Sequence, residues 1–224
     1  TLFLGNVPVG DELSILANKR ILRELSIENA QIVDITALKD LKNLNSLNLR
    51  GNNIVDLAPL SGLTKLEYLN LQFNQNIRSI LPLASLIRLE KLDIQDVPIG
   101  DEVSVLANFE RLEFLDARNC GISDTRTLAA LMERGALQDQ PASGKTASVD
   151  LRDNPIPVSN ADAYQPIRAH WGKIDERLPF LLPEYTPLAA PVFSAPAGFS
   201  DAPFELTIST DVADAAIYYT RDGS

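Results

Sequence analysis

A stretch of 22 or 23 residues recurs along the first half of the chain, and this periodicity constrains the fold more than any other feature. Copies begin at Leu22 (LRELSIENAQIVDITALKDLKN), Leu44 (LNSLNLRGNNIVDLAPLSGLTK), Leu66, Leu89 and Leu112, and Leu2 and Leu4 hold the places of Leu25 and Ile27 one turn earlier. Within each copy an alternation such as Leu47-Asn48-Leu49 or Leu69-Asn70-Leu71 predicts a short strand with apolar side chains inward. The later spacing of three in Ile35, Leu38, Leu41 and Leu44 predicts short helical turns with one apolar stripe. Neither segment can bury its apolar face alone. Stacking coil on coil does so, and the expected product is a solenoid.

The copies follow the pattern LxxLxLxxNxIxDIxxLxxLxx over roughly residues 1 to 158. They resemble the leucine-rich repeat of the 22-residue class found in internalins. The resemblance implies an α/β solenoid with a parallel concave sheet and short convex helical turns. Asn52, Asn74 and Asn154 fall at the sharp turn after the strand, where an amide can satisfy buried backbone groups of neighbouring coils. Ala30, Val97 and Cys120 stand at the same place, so the amide ladder is expected to break there.

Two stretches at one phase of the repeat, VPVGDELSILAN from Val7 and VPIGDEVSVLAN from Val97, each carry one additional residue. Their Gly-Asp-Glu reads as a helix start, with glycine relieving the backbone, Asp11 or Asp101 at the N-cap and Glu12 or Glu102 near the positive helix end. A shared metal site is excluded, because four coils at about 4.8 Å each part the two acid pairs by roughly 19 Å. Beyond Leu128 the rhythm is interrupted by an insertion, about 129–146, before VDLRDNPIP resumes it at Val149. This insertion reads as an irregular loop. Its SGKT lacks the earlier glycine of a phosphate-binding loop, since Asp139 stands in that place.

Residues 159–185 read as a C-terminal cap and linker. Tyr164, Ile167, Trp171 and Ile174 share one face, Trp171 and Phe180 serve as core plugs, and His170 is structural. Residues 186–224 begin with proline and alanine and continue with the alternating runs FELTIST and AAIYYT before an Asp-Gly turn. Pro191, Phe193, Ser194, Pro196, Gly198, Pro203, Phe204, Ser209, Thr210 and the run Ile217-Tyr218-Tyr219-Thr220 with Asp222-Gly223-Ser224 carry a second resemblance. It is to the chitobiase/β-hexosaminidase C-terminal domain family, whose modules are immunoglobulin-like sandwiches on secreted or surface proteins. A full sandwich needs about 100 residues, so an incomplete all-β module is expected here. Thr1 and the ending YYTRDGS suggest a segment of a longer chain.

Thirty acidic against 20 basic side chains leave a net charge of −10, which repels phosphate backbones, so nucleic acid is not an expected partner. No apolar run is long enough for a membrane span. One cysteine, Cys120, excludes an internal disulfide framework and a multi-cysteine zinc site. No GxSxG elbow, HExxH pair or paired-carboxylate motif is present, so neither enzymatic activity nor a cofactor is expected.

Function is therefore expected on the concave strands. Their outward positions form three columns. The middle one is Ser26, Asn48, Asn70, Asp93, Asp116 and Asp150. Two residues later run Glu28, Arg50, Gln72, Gln95, Arg118 and Arg152, and two residues earlier run Glu24, Ser46, Tyr68, Lys91, Phe114 and Ser148. Aromatic residues and arginine are enriched at binding hot spots. The candidate binding patch is accordingly Tyr68, Phe73, Lys91, Asp93, Phe114, Asp116 and Arg118. Adjacent Asp93 and Asp116 read as charge-balanced by Lys91 and Arg118 rather than as a metal site. The expected role is a non-catalytic protein- or glycan-binding module at the bacterial cell surface or outside the cell. Alternatives are an accessory segment of a secreted carbohydrate-active enzyme and an intracellular scaffold.

Overall fold

The computed structural model describes residues 1–139, 146–156, 167, 192–193 and 208–209. The chain divides into two compact units, Thr1–Glu184 and Tyr185–Ser224. In the first, seven short strands form one parallel sheet in sequence order: β1 (Leu2–Phe3), β2 (Glu24–Ser26), β3 (Ser46–Asn48), β4 (Tyr68–Asn70), β5 (Lys91–Asp93), β6 (Phe114–Asp116) and β7 (Ser148–Asp150). Register joins equivalent residues of successive coils, with Leu25, Leu47, Leu69, Leu92, Leu115 and Val149 in one row. The described residues of this unit thus form the leucine-rich repeat solenoid that the periodicity predicts.

Opposite the sheet, the apolar spacing of three produces 3-10 helices, among them Thr36–Leu38, Ala58–Leu60 and Leu81–Ser85. This tight helix suits a wall that must turn within few residues. Asp34 and Asp56 start two of these turns, each accepting a hydrogen bond from the backbone N–H two residues on, at Thr36 and Ala58. Between sheet and outer wall lies one continuous core in which Leu38, Leu47, Leu60, Leu69 and Leu92 are fully buried. Each such leucine contributes about 1.5–3 kcal/mol by burial.

The amide ladder is present where asparagine stands. Asn52 Oδ1 accepts from the backbone N–H groups of Ala30 and Ile32 in the preceding coil, while its Nδ2 donates to the carbonyls of Ile27 and Leu49. Asn74 serves Ile54, Leu49 and Leu71 similarly, and Asn154 serves Cys120, Ile122, Ala117 and Leu151. At Val97, in the fifth coil, no side chain links back to the fourth. Cys120 replaces half of an asparagine: its thiol donates to the Ile94 carbonyl (3.0 Å) and lies 3.3 Å from that of Arg118. The acceptor half is supplied by backbone, since Ile99 and Gly100 N–H both donate to the Cys120 carbonyl. The expected interruption is therefore complete at Val97 and partial at Cys120.

Three expectations are corrected. The 3-10 helices Gly10–Leu16 and Gly100–Asn108 have Val9 and Ile99 at the N-cap, with no side-chain cap, so the aspartates of Gly-Asp-Glu are not N-caps. Glu102 instead reaches the fourth coil, where its carboxylate accepts from the Ser79 hydroxyl (2.9 and 3.0 Å) and the Ile80 N–H (2.6 Å). Its length lets it span one coil spacing, which aspartate could not. Glycine does relieve the backbone at Gly100, where φ is +44°.

The insertion is not simply an irregular loop. Helix α1 (Arg126–Glu133) runs into it, burying Leu128, Ala129, Leu131 and Met132, and Ala136 and Leu137 are buried beyond its end. The apolar spacing Leu128, Leu131, Met132 is a helical stripe that the broken repeat rhythm obscured. Ser143, Gly144 and Lys145 lie outside the described residues, as do Tyr164, His170, Trp171, Ile174 and Phe180; Ile167 is helical and buried. In the second unit β8 (Val192–Phe193) pairs antiparallel with β9 (Ile208–Ser209).

The third correction concerns the concave surface. Asp93 and Asp116, taken from the strand alternation as outward polar residues, are 7% and 5% exposed. Longer side chains from the flanking columns close over them.

Candidate functional site

Register brings Tyr68, Lys91 and Phe114 into one column on β4, β5 and β6, as equivalent residues of successive coils. Tyr68 and Phe114 are half-buried and Lys91 is exposed. The next column inward is Asn70, Asp93, Asp116 and Asp150. Two residues later stand Gln72, Gln95, Arg118 and Arg152, whose long polar ends fold back over the carboxylates.

The carboxylates are not treated alike. Arg118 donates from both Nε and Nη2 to Asp116, at 3.0 and 2.7 Å, and also lies 3.4 Å from Asp150. Arg152 engages Asp150 at 2.6 Å. Two coils thus carry a self-paired Asp-x-Arg. In the fifth coil the same spacing reads Asp93-Ile94-Gln95, and Gln95 turns its carbonyl oxygen to Arg118 (2.7 Å). Asp93 is left with neutral donors: Gln72 Nε2 at 3.3 Å, Asn70 Nδ2 at 3.5 Å and the Tyr68 hydroxyl. Gln72 also donates to Asp116 (3.2 Å), bridging the two acids.

Burial is the main reason the Asp93 carboxyl is pushed up to about 6, and the neighbouring Asp116 charge adds to it. Hydrogen bonds from Tyr68 and Gln72 and the more distant Arg118 only partly offset this. Burial likewise raises the Tyr68 hydroxyl. The expected balancing of Asp93 and Asp116 by Lys91 and Arg118 is thus half realised: Arg118 serves Asp116, while Lys91 makes no ion pair among the described residues.

Phe73 lies at the rim, at the corner after β4, with φ +60°. Every coil has a left-handed residue at this corner, and elsewhere it is Asn6, Asn29, Gly51, Asp96, Asn119 or Asp153, types that tolerate the conformation. Phe73 is the bulky exception. Its ring lies beneath the Arg50 guanidinium, 4.9 Å from the centroid, a cation–π contact that helps hold it. Phe73 therefore joins the patch through the third coil and Arg50, a partner the sequence reading did not include. The signal was available, since Phe73 aligns with Asn29, Gly51 and Asn119.

A shallow depression of about 550 Å³ opens at the edge of the sheet beside this patch, lined by Glu24, Asn45, Ser46, Glu67, Tyr68, Glu90 and Lys91. Among the described residues no group of three His, Cys, Asp or Glu side chains is arranged to hold a metal ion. None of the described helices is long and apolar enough to cross a membrane.

Comparison with known proteins agrees with this architecture. The model of the family described as "Leucine Rich repeats (2 copies)" matches residues 42–86. An internalin, InlF, from Listeria monocytogenes is similar at 31% identity and a TM-score of 0.55, covering 66% of this chain and 47% of that one. This chain thus spans about half the length of InlF. Internalin C2 from the same organism aligns at 26% identity and a TM-score of 0.49, covering 72% of this chain and 73% of its own. A comparison with curated protein sequences gives no match. The chain carries leucine-rich repeats stacked as a solenoid, and its fold resembles that of the internalin InlF.

Proposed function

We propose that this chain is a non-catalytic binding module that engages a partner protein through its concave face, centred on Tyr68, Phe73, Lys91, Asp93, Phe114, Asp116 and Arg118. The observation that carries this reading is Phe73. A large aromatic side chain occupies a left-handed corner that the other coils give to Asn, Asp or Gly. Strained backbone of this kind is held by its surroundings and is enriched at binding sites, which is why the outlier supports the reading. Next to it, Tyr68 and Phe114 present half-buried aromatic surface on a rigid sheet, which limits the side-chain entropy lost on binding. The internalin-like fold supports a protein-binding role, and the C-terminal resemblance to chitobiase-type modules supports a secreted or cell-surface setting.

The test is capture of a partner by the parent chain beside a Tyr68→Ala, Phe114→Ala double variant, with a glycan array run in parallel. A partner bound by the parent and lost by a variant of unchanged circular dichroism and melting supports the reading. Undiminished binding by the variant places the site elsewhere, and a hit confined to the glycan array replaces the protein partner with a carbohydrate.

A further inference from the structure

From the third coil to the seventh, the middle column of the concave face carries a carboxamide or a carboxylate: Asn48, Asn70, Asp93, Asp116 and Asp150. Four of the five turn Oδ1 onto their own backbone. It accepts the N–H two residues on, at Arg50 (3.1 Å), Gln72 (3.0 Å), Arg118 (3.3 Å) and Arg152 (3.1 Å). Asp93 has no such bond. Asp116 and Asp150 also take a guanidinium from that same residue, Arg118 or Arg152, at 2.7 and 2.6 Å, whereas Gln95 stands two residues after Asp93. Asp93 therefore lacks both supports that its acidic equivalents have.

What Asp93 does have comes from the fourth coil and is uncharged. Gln72 Nε2 donates at 3.3 Å and Asn70 Nδ2 at 3.5 Å, both longer than a usual N–H···O bond, beside the Tyr68 hydroxyl. The ionisable groups acting on it are Tyr68 from β4 and Asp116 and Arg118 from the sixth coil, and Arg118 is committed to Asp116. Glu28 acts in turn on Tyr68, and Lys91, on the same strand as Asp93, makes no ion pair among the described residues. An ionised Asp93 thus leans on neutral dipoles and on the solvent that still reaches its 7% of exposed surface. In agreement, its carboxyl is pushed up to about 6. Tyr68, Lys91 and Phe114 form the adjoining column, so a partner seated on them removes that remaining solvent. Desolvation disfavours the charged form.

We propose that Asp93 is a proton switch for the concave face: a partner seated on Tyr68, Lys91 and Phe114 binds with uptake of a proton by Asp93, so that attachment strengthens on acidification. This deepens the concave-face reading and rests on it. Covering the face raises the Asp93 midpoint in the complex above that of the free protein. Affinity is then weakest above the bound midpoint, rises as pH falls between the two, and levels off below the free midpoint near 6. Each tenfold gain corresponds to a rise of about one pH unit in the midpoint. Gln95 is what leaves the switch free to work, since an arginine there would fix the charge as Arg118 and Arg152 do on the next two coils.

The probe is a synthetic binding protein whose contact residues are tyrosine and serine only, selected to hold the parent chain and to lose the Tyr68→Ala, Phe114→Ala variant. Such a surface covers the face without bringing a charge of its own. Its affinity is expected to rise roughly three- to tenfold between pH 7.5 and 5.5. The Asp93 carboxyl carbon, followed by NMR, should titrate at higher pH in the complex than in the free protein. Asp93→Asn and Gln95→Arg should each abolish the pH dependence of binding, while His170→Gln, which removes the chain's one histidine, should leave it intact. An Asp93 midpoint unchanged or lowered in the complex overturns the proposal, whatever the variants do. So does a dependence that survives Asp93→Asn or Gln95→Arg, or one lost in His170→Gln. Because the probe covers the face by selection, a natural partner that binds elsewhere refutes the concave-face reading without altering these outcomes.

Discussion

Replacing Phe73 by asparagine separates what the backbone prefers from what the side chain contributes. Holding a residue with a Cβ in the left-handed region costs about 1–2 kcal/mol, and asparagine recovers about 1 kcal/mol of it by local hydrogen bonding. Against this stands the loss of the Arg50–Phe73 contact, about 0.5–1 kcal/mol at a partly exposed site. In the parent background the two nearly cancel. The informative comparison is therefore Phe73→Asn in an Arg50→Ala background, where the contact is already gone and the backbone gain should stand alone at about 1 kcal/mol. Urea unfolding followed by circular dichroism, at constant m-value, reads this difference; for a chain of this size it equals a rise of about 2–4 °C in Tm. A loss of more than about 1 kcal/mol in the Arg50→Ala background would mean that ring packing outweighs strain. The inference from Phe73 to function would then fail with it.

Other perturbations have equally definite outcomes. Asn74→Ala removes the partner of the Ile54 N–H and of two carbonyls and should cost roughly 3 kcal/mol or more, measured by the same unfolding curves; Asn53→Ala, one residue from the ladder position at Asn52, should cost far less. Cys120, fully buried and pushed up to about 12 chiefly by that burial, should resist a disulfide reagent at pH 8 in the native protein and react on unfolding. The Asp93 carboxyl carbon should titrate near 6. Its folded value lies above its unfolded one, so the native state binds the extra proton and stability falls as pH rises between about 4 and 6. Asp116, Arg118, Tyr68 and Gln72 act on it, but Asp93→Asn alone should flatten that slope; an unchanged slope assigns it to another group.

The repeat made the fold readable because a period of 22 or 23 residues repeats the same burial decision through six strands, and a seventh follows the insertion. The columns of the concave face followed from strand alternation, and Tyr68, Lys91 and Phe114 do stand in register. The alternation could not show which outward carboxylates become covered. That depends on the residue two places later, arginine in the sixth and seventh coils and glutamine in the fifth, and on where Gln72 reaches from the coil before. Likewise Gly-Asp-Glu resembled a helix start in isolation. Its glutamate spends its hydrogen bonds on the adjacent coil, an interaction 22 or 23 residues distant that no local pattern encodes.

That glutamate gives the boundary between the fourth and fifth coils a particular character. Here the inner corner has valine in place of an amide, and here the outer wall has Glu102 fastening Ser79 and Ile80. A stacked array behaves as a one-dimensional chain of couplings, and it parts where the weakest coupling lies. This boundary is therefore tied at its two faces, by Gln72 and Asn70 reaching Asp93 on the concave side and by Glu102 on the convex side, with no side-chain amide at the corner between them. Loss of the Glu102 carboxylate would weaken the convex tie behind β4 and β5, the two strands that carry Tyr68 and Lys91.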